Sequence, residues 1–148
     1  MVIQLFTGFM ICCTPATAAE LRILVEKLDE QAARCGIAES ALESRARLTL
    51  RSAGLTVKQD TAGKYLYINA NVGELSISQC VVSLMVEIRE MYPVPPSASF
   101  KPAGQLVFFP AICQSGTLIW NRKYGFGDEV AKALEEHVKY CLGNTDYK

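Results

Sequence analysis

Two spacings of apolar residues divide this chain into elements. From Lys64 to Val72 polar and apolar positions alternate. Leu66, Ile68, Ala70 and Val72 fall on one face, and Tyr65, Tyr67, Asn69 and Asn71 on the other. Cys80, Val82, Leu84, Val86 and Ile88 repeat the pattern, with Ser83, Met85, Glu87 and Arg89 opposite. Leu55 to Gln59 alternates as well, and Asp60 to Gly63 reads as a hairpin turn into the next run. Alternation of this kind predicts antiparallel strands with one buried and one wet face. Leu106 to Phe109 resumes a strand, Pro110 breaks or bulges it, and Gly116 to Trp120 carries it on. Trp120, at its end, is expected to pack against the final helix.

Helical spacing marks two further segments. Ser40 and Glu43 form a capping box, and Leu42, Ala46, Thr49 and Ala53 make one apolar stripe. Glu43 and Arg47 pair on the outer side, and Gly54 stands where a helix stops. Asp128 reads as the N-cap of a last helix with Val130, Leu134, Val138 and Cys141 or Leu142 on its apolar stripe, ending at Gly143. Glu135 and Lys139 pair outside it. Leu21 to Leu28 fits both periods and is read as a strand over 21–27 passing into a helical turn near 29–34. Tyr92 to Pro102 holds four of the six prolines and reads as a loop. The order β-α-β-β-β-β-α predicts an α+β two-layer sandwich. Its sheet has four to five mostly antiparallel strands, with two amphipathic helices packed on one face.

The N-terminus departs from this scheme. Val2 to Cys13 is apolar apart from Gln4 and Thr7, followed by the small residues Pro15 to Ala19, and the first charge is Glu20. The apolar run is too short for a bilayer-spanning helix and matches the core of an export signal, with cleavage after Ala18 or Ala19. A basic leading segment is missing. Neither Cys12 nor Cys13 follows the small residues that a lipoprotein cysteine requires. Residues 1–19 are therefore expected to be a signal peptide, and 20–148 a single α+β domain, periplasmic or secreted, with no transmembrane span in the mature chain.

Cleavage there leaves Cys35, Cys80, Cys113 and Cys141. An even number in an exported chain reads as two disulfides, with three connectivities open. The nearest two are 28 residues apart, against the close pairs that zinc prefers, so a metal site is disfavoured. Fifteen basic residues balance fifteen acidic ones, which gives no support to a nucleic-acid or anionic-membrane binder. His137 is the one histidine, so a nucleophile–imidazole machine or a histidine-rich metal site is starved of ligands, and no cofactor is expected. Gly125-Phe126-Gly127 before the last helix reads as a turn and cap, because Asp128 and Glu129 stand where a phosphate would sit. Arg45, Arg47 and Arg51 alternate with Glu39 and Glu43 and read as a solvated helix face.

The run Arg34-Cys35-Gly36-Ile37, the helix ending Leu50-Arg51-Ser52-Ala53-Gly54-Leu55, Tyr65-Leu66-Tyr67-Ile68, and Trp120 before a final amphipathic helix resemble small exported bacterial α+β proteins of uncharacterised function. The resemblance covers residues 21–144. It implies an exported α+β domain, carries over no catalytic residue, and implies Cys35 with Cys80 and Cys113 with Cys141.

The reading that follows is a non-enzymatic binding or assembly module whose partner is another envelope or extracellular protein. Tyr65, Tyr67, Asn69 and Asn71 form the candidate partner surface, and an open sheet edge can accept a strand. A small hydrolase using two facing carboxylates is the first alternative. A disulfide-stabilised inhibitor presenting the Tyr92–Pro102 loop is the second.

Overall fold

The computed structural model describes residues 20–58, 63–93, 106–108 and 111–145. The expected leader 1–19, residues 60–62 of the expected hairpin turn, and residues 94–102 of the expected proline-rich loop lie outside them. In chain order the elements are β1 (Glu20–Val25), α1 (Glu30–Arg34), α2 (Glu39–Ser52), β2 (Thr56–Val57), β3 (Gly63–Ser76), β4 (Gln79–Pro93), β5 (Leu106–Phe108), β6 (Cys113–Arg122) and α3 (Phe126–Gly143). The fold is α+β: a mixed, mostly antiparallel sheet, five strands across, with the helices packed against it.

The strand order is β2-β1-β3-β4, with β5 and β6 following one another along the far edge of β4. Met91 faces Phe108 at the end of β5, and Ile88 faces Cys113 at the start of β6. The expected break at Pro110 lies outside the described residues. The long β3–β4 hairpin is antiparallel over thirteen registered pairs from Gly63↔Met91 to Ser76↔Gln79.

The expected β2–β3 hairpin does not form. β2 pairs with β1, parallel, and β1 pairs with β3, also parallel, so β1 lies between the two strands that alternation placed side by side. The chain leaves β1 through α1 and α2 and therefore returns in the same direction, which makes the pairing parallel. Period alone identifies a strand and not its neighbour.

The helix boundaries shift for local reasons. Asp29 caps α1, accepting the Ala32 N–H at 3.0 Å. The α2 cap is Ala38, two residues before Ser40, so the capping box does not form. The Glu39 carboxylate instead accepts the Leu28 N–H at 2.7 Å. Leu42, Ala46, Thr49 and Leu50 are the buried residues of α2, whereas Ala53 is its exposed C-cap. Gly125, not Asp128, is the N-cap of α3, at φ 76°, and Asp128 sits in the first turn. Gly127 packs so tightly on the Gly36 carbonyl that a β-carbon there has no room.

The core lies between the helices and one face of the sheet. Leu66, Ile68, Val82, Leu84, Val86 and Ile88 meet Leu42, Leu50, Phe126, Val130, Leu134 and Val138. Two disulfides pin this layer. Cys35, at the end of α1, joins Cys80 at the start of β4, and Cys113 at the start of β6 joins Cys141 on α3. Their Cα separations of 6.0 and 5.5 Å are ordinary for a disulfide. Among the described residues no helix is long and apolar enough to cross a membrane.

Candidate interaction surface

The helices cover one face of the sheet, and the opposite face is built by the strand registers. Residues directly opposite across paired strands share a face. One row is therefore Tyr67, Glu87 and Gln114. The next rows are Asn69, Met85 and Gly116; then Asn71, Ser83 and Leu118; then Gly73, Val81 and Trp120. Arg22 and Leu24 of β1 stand beside Tyr65 and Tyr67.

The β1 side of this face is a polar network. The Tyr67 hydroxyl donates to Glu26 Oε2 at 2.6 Å, and Asn69 Nδ2 donates to the same oxygen. Asn71 Nδ2 donates to Asn69 Oδ1 at 2.7 Å. The Arg89 guanidinium lies 5.3 Å from the Tyr67 ring centroid, a cation–π distance, and pairs with Glu87. Burial first, and the hydrogen bond to Glu26 second, push the Tyr67 phenol above its ordinary value of 10.0.

Three of the four expected partner-surface residues are thus linked, with Tyr67 and Asn69 half-buried and Asn71 exposed. Tyr65 is a correction. It points to the outer side, as its position in the alternation requires, yet is only 1% exposed, beside buried Glu87. Its phenol is also pushed up, chiefly by burial.

The far end of the face is apolar and was missed in the sequence. Trp120 is not under α3. Its neighbour Ile119 turns toward the core, and Trp120, opposite Val81, is 66% exposed. Leu118 is 58% exposed on the same strand, and Leu75 and Ile77 are exposed at the β3–β4 turn. The signal was present: in a period-2 strand Trp120 shares a face with Leu118 and Gly116, and only one of the two faces can meet a helix.

β6 is also an open edge. Lys123 N–H donates to Ser78 O at 3.0 Å, one step beyond the Gln79↔Arg122 pair. In an antiparallel ladder bonded positions alternate, so odd positions from 113 bond to β4. Gln114, Gly116, Leu118, Trp120 and Arg122 direct their N–H and C=O groups away from it. Among the described residues no strand pairs with β6 on that side.

Two concave regions lie elsewhere. A groove of about 450 Å³ between α2 and the start of α3 is lined by Ile37, Leu48, Arg45, Lys123 and Gly127 among others. Its two cations are occupied, Arg45 by Glu135 at 3.4 Å and Lys123 by Glu74. A smaller cleft of about 250 Å³ lies between Arg22, Arg47 and Lys58. His137 is half-buried, its Nδ1 2.7 Å from the Ser115 hydroxyl, two residues from Cys113 and one turn from Cys141. Burial lowers its pKa from 6.5. Among the described residues no group of three or more His, Cys, Asp or Glu could hold a metal ion.

No protein-family model matches the chain, and no curated protein matches it. Among solved structures it is similar to a PelC dodecamer from Paraburkholderia phytofirmans, with TM-score 0.43 and 13% identity over 86% of this chain and 85% of that one. It is also similar to a minor lipoprotein from Acinetobacter baumannii, with TM-score 0.40 and 9% identity over 85% and 95%. At such scores and identities the likeness is one of general outline.

Proposed function

We propose that this chain is an exported binding or assembly module that engages another envelope or extracellular protein through the outer face of its sheet. Residues 1–19 act as a cleaved leader, and 20–148 form one α+β domain. The two disulfides support an oxidising compartment, because such bonds persist outside the cytosol. The observation that carries the reading is the outer face itself. Exposed Leu118 and Trp120 stand beside an ordered Tyr67–Asn69–Asn71 ladder and an open strand edge. Large exposed apolar side chains gathered beside rigid polar groups are the make-up of a protein interface.

The test is isolation of tagged protein from the exported fraction under mild crosslinking. Trp120→Ala is expected to weaken capture of a specific partner by roughly thirtyfold or more, as for truncation of an interface tryptophan. Asn71→Ala should weaken it less. Tyr140→Ala, on the exposed side of α3, should leave it unchanged. Equal capture by all three variants would remove the outer face from the reading.

A further inference from the structure

We infer that β6 pairs antiparallel with β6 of a second copy of this chain, about a two-fold axis at Leu118. The inference deepens the reading of the outer face as a binding surface and rests on it. The edge is ten residues long, and its even positions already aim their backbone donors and acceptors outward. Natural edges are usually guarded by Lys, Pro or inward charges. From Cys113 to Asn121 there is none of these, and the only charge on the strand is Arg122 at its end.

The sequence of the edge is complementary to itself about that axis. Leu118 meets Leu118 of the second copy. Trp120 falls opposite Gly116, and Arg122 opposite Gln114, so no like charges meet. Gly116 is a fixed gap in the outer face: a β-carbon there would stand 2.6 Å from the Leu84 carbonyl oxygen. Beyond it on β4 lies Met85, in the same row. The incoming indole covers the bare glycine backbone and reaches the Met85 thioether, a cross-strand aromatic over glycine with a sulfur contact at its rim. Both copies do this at once, which covers the two exposed large hydrophobic side chains of β6, Leu118 and Trp120. The formal net charge is zero, so two copies approach without net repulsion.

The experiment is sedimentation velocity on protein purified from an exporting host, from micromolar to hundred-micromolar concentration. The wild type is expected to dimerise. Trp120→Ser should raise the dissociation constant tenfold or more. Leu118→Lys, which sets two ammonium groups face to face, should give a folded monomer by far-UV circular dichroism. Should L118K fail to fold, the crosslinking pair decides. Leu118→Cys should form a covalent dimer under mild oxidation, and Ser83→Cys, one strand further in on the same face, should not. A wild type that stays monomeric overturns the inference, as does a dimer unmoved by L118K or a monomer that floats with phosphatidylglycerol vesicles through Trp120. A monomer that still captures a different partner through Trp120 overturns this inference alone. Loss of that capture as well overturns the proposed function with it.

Discussion

At the scale of single residues the outer face is ordered by one carboxylate. Glu26 receives both Tyr67 and Asn69, and Asn69 in turn receives Asn71, so three side chains are held before any partner arrives. A surface held this way loses less side-chain entropy on binding than free rotamers do. Because the folded phenol of Tyr67 is raised above 10.0, the folded state holds that proton more tightly than the unfolded chain. The stability it supplies is present below pH 10 and is lost as pH rises through the folded value. Spectrophotometric titration of the tyrosines should show a component above the ordinary range, and Glu26→Gln should bring it down. His137 has the opposite sense. Its folded pKa is depressed, so the unfolded chain binds more protons, and stability should fall as pH drops below 6.5. His137→Gln should flatten that slope in urea melts between pH 7 and 5. A slope unchanged in the variant would assign it elsewhere. At lower pH, Glu74 and Glu135 follow. Lys123 and Arg34 depress Glu74, and Lys139 and Arg45 depress Glu135, so their contributions fade as pH falls below 4.5.

At the scale of elements, what could be read from the sequence was set by periodicity. The β3 and β4 strands and the helices α2 and α3 announce themselves, because each buries one face and exposes the other. Strand partners do not. Whether β2 joins β1 or β3 depends on where two helices deliver the chain, which no local pattern records. The candidate surface divides in the same way. Tyr67, Asn69 and Asn71 were legible from alternation, whereas the exposure of Trp120 depends on which face α3 chooses, and the burial of Tyr65 on tertiary surroundings. Glu74 shows an element-level link of the same kind. It accepts from Arg34 Nε at 3.0 Å and from Lys123 Nζ, joining α1, β3 and the segment before α3. The disulfides do this more strongly. With sequence separations of 45 and 28, each contributes about 4 kcal/mol in the chain-entropy account. Replacing Cys113 and Cys141 together by Ser should lower stability by about 3–4 kcal/mol in chemical denaturation, with β6 and α3 losing hydrogen-exchange protection first.

At the scale of the whole molecule the two faces of the sheet differ in what covers them. One is sealed by helices and pinned by two disulfides. The other ends in an open edge and displays indole, leucine and an ordered amide ladder. The disulfides tie the helical side to the sheet at two points, Cys35 to Cys80 and Cys113 to Cys141. Photo-crosslinking in living cells tests this division most directly, with a photoreactive amino acid placed one at a time at Asn71, Ser83 and Leu118 on the outer face and at Leu48 and Tyr140 on the helical side. Discrete adducts from the three outer-face positions and none from the other two are the result expected. Adducts confined to Leu48 and Tyr140 would contradict it.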